Sequence, residues 1–307
     1  MRILFYISPN QSERKNFDFI AQGMRRHDEH VTVLDKSFPN PSVVADYDVV
    51  FISRVVDTSL RLMNACLAYG THFVYFDKAY LSRGGWRSEH PAVYRRFSLD
   101  SFHPFHYFQS VPHPPDRWEA LGIKLRPLRK TGEHIVVAGC SQKFGEWCGI
   151  NVIEYDRWMV SEIRSRTKRP IVYRPRPVRT ALPPIPGTTY SGRSRKIWDE
   201  LHNAHALVTF SSNVAVDALL WGIPVFVLGP SIARPISNHD LSAIENPWFP
   251  TDEERYQWCC DVAYCQWNTD EVKDGTVWQE LKETIARTSG ERRISLGEPF
   301  LSVKSWS

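Results

Sequence analysis

Three small hydrogen-bonding residues, Ser211, Ser212 and Asn213, interrupt the otherwise apolar stretch ALVTFSSNVAVDALLWGIPVFVLGP, residues 206–230. Hydroxyl and amide side chains beside a helix start can hold an anion. The first-turn N–H groups have no partner inside the helix, and the helix dipole favours negative charge there. The same residues also read as an N-cap, for which Ser and Asn are common choices, but one cap needs one side chain and three stand here. Upstream, RSRTKRPIVYRPRPVR, residues 164–179, holds seven basic residues and no acidic one. Within it, Arg174 and Arg176 fall where a strand ends, so their guanidinium groups could grip a phosphate bidentately. Surface charge following a strand is the other reading of this cluster.

The elements that must position these residues follow from periodicity. Residues 206–210 form a short apolar run, residues 214–220 recur at helical spacing until Gly222 and Pro224, and 225–228 form a second apolar run. A strand, helix and strand so closely joined make a right-handed parallel crossover, and ligands of such sheets lie beyond the carboxyl ends of the strands. The Ser-Ser-Asn turn is at that end.

The first half alternates in the same way, with strands predicted at 2–7, 31–34, 48–53 and 72–77 and helices at 15–27 and 58–69. No glycine fingerprint follows the first strand, where YISPNQSERKN stands instead, so a dinucleotide-dependent dehydrogenase is disfavoured. Residues 82–129 are irregular and rich in Gly, Pro, His and aromatic residues, including RGGWRSEHPAVYRRF and FHPFHYFQSVPHPPDRW. The alternation resumes with strands at 134–139 and 170–175 and helices at 156–166 and 196–203, and the segments 252–267 and 275–288 read as closing helices.

At 307 residues the chain exceeds a usual single core. The layout predicts an α/β protein of two doubly wound, Rossmann-like domains facing across a cleft: 1–129 for the acceptor, 130–265 for a nucleotide-bound donor, and C-terminal helices over 266–307 that could pack back on the first domain. Hydrophobic content of 42% and charged content of 23% suit a globular protein. The absence of a long apolar run or a leader pattern predicts a cytoplasmic location with no membrane span. A net charge of +4 is too mild to prove a polyanionic partner. Six cysteines without C-x-x-C pairs predict reduced, buried thiols and no zinc site.

With IVYRPRP upstream of TFSSNVAVDALLWGIPVFVLG, the second half resembles nucleotide-sugar glycosyltransferases of the GT-B fold, especially the capsular polysaccharide Kdo transferases. The segments YFDKAY, HPFHYF, PPDRW, PIVYRPRP and AYCQWNTDEVKDGTVW also resemble glycosyltransferase-like proteins of tailed phages. The resemblance implies that Arg174, Arg176, Ser211, Ser212 and Asn213 hold the donor phosphate and that Asp217 lies near the donor's sugar or ribose hydroxyls. Arg176 stands where the capsular enzymes usually carry His, which favours a UDP-linked over a CMP-linked donor. No cofactor beyond the nucleotide sugar is expected, and no metal, because arginine and helix dipole already meet the charge of a departing phosphate.

A base for the acceptor hydroxyl is expected from the first domain. Asp77, closing HFVYFD, is the first candidate, followed by His103, His106 and Glu133; a local contact of Asp77 with nearby backbone is the alternative. The phage likeness points to hydroxymethylated pyrimidines in DNA, and the capsular likeness to a glycan or lipid. Arg83, Trp86 and Arg87, with Tyr94, Arg95 and Arg96, interleave cationic and planar groups that could contact DNA phosphates and stack on an extruded base. A packed aromatic loop explains them as well, and a non-catalytic nucleotide- or DNA-binding module would use the same fold.

Overall fold

The computed structural model describes residues 1–7, 11–35, 40–54, 56–81, 93–104, 112–176, 182–192 and 194–288. In chain order the elements are β1 (Ile3–Ile7), α1 (Gln11–Arg25), β2 (Val31–Asp35), β3 (Val49–Ser53), α2 (Asp57–Tyr69), β4 (His72–Lys78), β5 (Tyr94–Leu99) and α3 (Asp116–Ala120). Then come β6 (His134–Ala138), α4 (Gln142–Trp147), α5 (Val152–Arg166), β7 (Ile171–Arg174), β8 (Thr189–Tyr190), α6 (Ile197–Leu201) and β9 (Ala204–Thr209). The chain closes with α7 (Val214–Leu220), β10 (Val225–Val227), α8 (Asp252–Ala263), β11 (Gln266–Asn268), α9 (Thr269–Asp274) and α10 (Thr276–Thr288). Two compact units result: Met1–His113 with Ala120–Gly122 and Asp261–Ser307, and Pro114–Glu119 with Ile123–Cys260.

The first unit is built on a six-stranded sheet in the order β11-β5-β4-β3-β1-β2. β1 to β4 are parallel, and β5 runs antiparallel between β4 and β11. Strands such as ILFYI and VVFIS are buried along their whole length, as strands covered on both faces must be. α1 buries Phe17, Ile20 and Met24, a stripe at helical spacing, against the sheet. It also lies hard against α9: a Cβ at Gly23 would come within 2.3 Å of the Val272 carbonyl oxygen, so only glycine permits the approach. α10 buries Val277, Trp278, Leu281 and Ile285 in the same unit.

Two elements differ from the sequence pattern. The segment 82–129, read as irregular, contains β5, a strand buried from Arg96 to Leu99. Residues 266–267, read as the end of a helix, belong to β11, which extends the sheet by pairing with β5. Gln266 explains the exchange: its side chain is buried and clamps Leu81, accepting from its N–H at 2.9 Å and donating to its carbonyl at 3.2 Å.

The second unit holds an all-parallel five-stranded sheet, β10-β9-β6-β7-β8. From β6 the chain moves outward to β7 and β8, then crosses back to place β9 and β10 on the other side. The connections therefore part in opposite directions between β6 and β9, which leaves a crevice at the carboxyl ends of those two strands. α5 begins at Val152, four residues before the predicted start, because Asn151 caps it by accepting from the N–H groups of Ile153 and Glu154. The fold is mixed α/β with parallel sheets, of the GT-B type.

Candidate functional site

At the crevice of the second unit, the three residues of the Ser-Ser-Asn turn do three different things. The Ser211 hydroxyl donates to the Pro230 carbonyl and so ties the end of β9 to the turn after β10. Ser212 accepts at 3.4 Å from the Val214 N–H, a local cap, while its own N–H donates to Thr209 Oγ1 at 3.0 Å. Thr209 in turn donates to the Ala138 carbonyl at 2.6 Å and locks β9 to β6 at the crevice itself. Asn213 occupies the N-cap position of α7 without a side-chain capping bond and is half-buried. The turn is thus a braced strand terminus in which, among the described residues, no hydrogen bond engages the Asn213 side-chain amide, rather than a triple cap.

Arg174 and Arg176 separate just as clearly. Arg174 donates to Ser191 Oγ at 2.7 Å and to the Arg195 carbonyl at 2.8 Å. Ser191 and Arg195 both bind the buried Glu200 carboxylate, at 2.8 and 2.6 Å. Arg174 is therefore a strut for the turn after β8, and burial lowers its pKa below the usual arginine value despite Glu200. Arg176, two residues beyond β7, is exposed, and among the described residues no hydrogen bond or ion pair engages its guanidinium. β7 and β9 flank β6, so the two strand ends stand about 10 Å apart across two strand spacings.

Gly139 lets these ends converge. A Cβ there would lie 2.9 Å from Asp156 Oδ2, 3.2 Å from the Pro175 Cα and 3.3 Å from the Arg176 nitrogen. The sequence reading missed Asp156, which is 1% exposed. Its Oδ2 accepts from the Tyr173 hydroxyl at 2.8 Å, and among the described residues its Oδ1 has no hydrogen-bond partner. Burial pushes the carboxyl up to about 7, with the Tyr173 bond pulling the other way. The available signal was its position: Asp156 shares the buried stripe of α5 with Met159, Val160 and Ile163. Burial, helped by Asp156, likewise pushes the Cys140 thiol up to about 12, which makes it a poor nucleophile. Asp217, expected near donor hydroxyls, is 1% exposed and faces the interior from α7, so a ligand does not reach it in this arrangement.

In the first unit Asp77 lies at the carboxyl end of β4 opposite Arg96 of β5. One carboxylate oxygen accepts from the Tyr75 hydroxyl at 3.0 Å, and the other from the Lys78 N–H at 2.7 Å. Arg96 Nη2 is 3.7 Å from Asp77, whose side chain is 41% exposed. Asp77 therefore combines an open face with a fixed orientation.

Arg96 itself is buried and donates to the Tyr80 hydroxyl, its guanidinium 4.6 Å from the Tyr80 ring centroid. It was expected to touch acceptor; its position inside the sheet takes it out of that role. Burial alone would lower its pKa, but Tyr80, Tyr75 and Asp77 more than offset this and raise it. His103, expected as an alternative base, is buried with Nδ1 2.6 Å from the Tyr80 hydroxyl. Burial and then the Arg96 charge hold it well below its ordinary pKa, so it is neutral and supports Tyr80.

Glu133 is exposed but precedes β6, at the amino edge of the sheet, the wrong end for a ligand. Arg95 is half-buried and donates to the Tyr94 carbonyl at 3.1 Å. Arg83, Trp86, Arg87 and His106 lie outside the described residues. The chain also holds a D-x-D triplet, Asp46-Tyr47-Asp48, the spacing used by metal-dependent sugar transferases. Asp48 sits at the amino end of β3 and binds Arg2 through its backbone N–H at 2.8 Å and its guanidinium at 2.9 Å, a structural tether far from the carboxyl edge. Among the described residues no cluster of His, Cys, Asp or Glu suits a metal ion, and no helix is long and apolar enough to cross a membrane.

The sequence matches no protein-family model and no curated protein. Solved structures do match in shape. A β-Kdo 2,7-transferase of KpsC from Thermosulfurimonas dismutans superposes with a TM-score of 0.53 at 11% identity, covering 91% of this chain and 100% of its own. The β-Kdo 2,4-transferase of KpsC from the same organism gives 0.50 at 12% identity, covering 87% and 91%. A Methanocaldococcus jannaschii UDP-GlcNAc 2-epimerase, solved with UDP-GlcNAc and UDP, gives only 0.33 at 9% identity, with 92% and 100% covered. At these identities what the chain shares with the two KpsC structures is the fold.

Proposed function

We propose that the protein is a glycosyltransferase that moves a sugar from a nucleotide-sugar donor to an acceptor hydroxyl. The observation that carries this reading is the carboxyl edge of the second unit. There the Arg176 guanidinium and the Asn213 side-chain amide, which no hydrogen bond or ion pair engages among the described residues, flank a braced crevice in a parallel sheet. The GT-B fold and its likeness to two structures described as Kdo transferases support the reading by analogy.

The second unit binds the donor, with Arg176 on its phosphates and the turn formed by Ser211, Ser212 and Asn213 giving the remaining polar contacts. Arg174 keeps the neighbouring turn in place. In the transfer, the acceptor oxygen forms a bond to the anomeric carbon while the bond from that carbon to the phosphate oxygen breaks. The leaving nucleotide keeps the electron pair, and Arg176 stabilises its charge. The acceptor proton passes to the Asp77 carboxylate in the first unit, which Tyr75 and Arg96 hold in one orientation. A UDP-linked donor fits better than a CMP-linked one, because a bidentate guanidinium matches a diphosphate.

For the acceptor, hydroxymethylated pyrimidine in DNA stays the first substrate to test and a glycan or lipid hydroxyl the second. Of the residues expected at DNA, Tyr94 and Arg95 are half-buried at the strand end, while Arg96 has turned inward. The assay mixes protein, a panel of nucleotide sugars and hydroxymethylpyrimidine DNA, then weighs the digested nucleosides. A hexose- or pentose-sized gain on one base establishes DNA as acceptor. Donor breakdown with all DNA unmodified moves the acceptor to a glycan or lipid. Nucleotide binding without any donor breakdown overturns catalysis.

A further inference from the structure

The first unit has its own point where connections part. β1 leads outward to β2 on one side, and the chain returns to β3 and β4 on the other. The carboxyl ends of β1 and β3 are thus the ligand position of this sheet. β3 pairs with β1 through Ile52 and Tyr6, and the second residue after Ile52 is Arg54.

Arg54 is unusual in its backbone. Among the described residues four that are not glycine have positive φ: Asp28 at 56°, Arg54 at 59°, Asp100 at 54° and Asn203 at 60°. Three are Asp or Asn, whose short polar side chains tolerate the left-handed region. Arginine has no such short polar side chain, so its left-handed conformation is a strain held by the surrounding structure. Such strain gathers where a side chain must be aimed. The side chain is exposed, and among the described residues no hydrogen bond or ion pair engages its guanidinium.

We propose that Arg54 is the anion-binding residue of the first unit, gripping a phosphate or carboxylate of a ligand held beyond β1 and β3. The site is separate from Arg176, which belongs to the other sheet, and it does not depend on sugar transfer. The planar guanidinium suits the flat, bidentate edge of either acid. Two sources supply that chemistry: a phosphate carried by the acceptor, or a carboxylate carried by it.

The backbone strain supplies a test that a merely structural arginine would fail. Glycine adopts this φ freely, so Arg54→Gly should raise the melting temperature or leave it unchanged while removing the charge. The probes are pyrophosphate, UDP and glucuronate, titrated into the intact chain with backbone amide shifts recorded. Shifts that centre on the ends of β1 and β3 and weaken roughly tenfold or more in Arg54→Gly, with Arg54→Lys intermediate, support the site. A response to pyrophosphate and UDP assigns a phosphate-bearing acceptor as source, and a response to glucuronate alone assigns a carboxylate-bearing one. Arg176→Ala should leave these shifts in place, so a failed donor site and a failed Arg54 site give different results. Unchanged affinity at the β1 and β3 ends in Arg54→Gly, no shifts there with any probe, or a melting temperature lowered by several degrees would overturn the assignment.

Discussion

Arg96, buried inside the first sheet, and Asp77, open on one face, stand 3.7 Å apart on paired strands. The arginine is fixed by Tyr80 and by its position over two tyrosine rings, with Tyr80 itself bound to neutral His103. Replacing Arg96 with Met keeps much of the volume but leaves the buried Tyr80 hydroxyl without its donor and removes the cation over the ring. The expected loss is about 1–3 kcal/mol in chemical denaturation. Because the Asp77 side of the pair is solvent-screened, Asp77→Asn should lose less than about 1 kcal/mol.

Asp77→Asn carries a second expectation. If this carboxylate takes the acceptor proton, turnover should fall by about 10²–10⁴ while the donor's dissociation constant stays the same. Near-normal turnover would remove Asp77 from the chemistry, and an equal loss in donor affinity would assign it to binding instead.

The two arginines after β7 should respond differently. Arg176→Ala is expected to weaken nucleotide binding by about 1.5–3 kcal/mol in calorimetry with little change in stability. Arg174→Ala should destabilise the fold by about 1–3 kcal/mol, since it frees the bonds to Ser191 and Arg195 and leaves buried Glu200 with one cation fewer. Equal effects of the two substitutions on both measurements would contradict the division of labour.

Asp156 gives a pH dependence with a definite sign. Its folded pKa is raised from 3.8 to about 7, so between those values the folded chain holds a proton that the unfolded chain has lost. Its contribution is therefore most favourable below about pH 4 and is lost as pH rises towards 7, in total about 4 kcal/mol. Asp156→Asn removes the ionisation while keeping the shape. Relative to the natural chain, the variant should gain stability at pH 8 and show little gain at pH 4. A gain of the same size at both values would show that Asp156 does not titrate in this range.

Much of the parallel framework was legible because its strands are continuous apolar runs: residues 3–7, 49–53, 135–138 and 206–209 announce themselves. β5 was not, because YRRFSL carries two arginines that read as surface charge. Only tertiary structure shows that Arg96 points under Tyr80 and Tyr75. β11 is three residues long and gains its identity from pairing with β5, a contact between residues some 170 positions apart in the chain. At the site, strand ends could be located from pattern, which placed Arg176 and the Ser-Ser-Asn turn at the carboxyl edge. Burial of Asp217 and His103, the strut role of Arg174, and the positive φ of Arg54 depend on side-chain and backbone geometry that spacing does not encode. Glu133 was misplaced for a simpler reason: it lies at the start of its strand, and parallel sheets bind at the other end.

The main proposal is that the second unit holds a nucleotide sugar for transfer. It is tested most directly by incubating the intact chain with UDP- and CMP-linked sugars and following nucleotide release by chromatography, beside an Arg176→Ala control. Slow release of UDP from at least one donor is expected, faster when the right acceptor is present, and reduced at least tenfold in Arg176→Ala. Absence of release from every donor, or release that Arg176→Ala leaves unchanged, would contradict it.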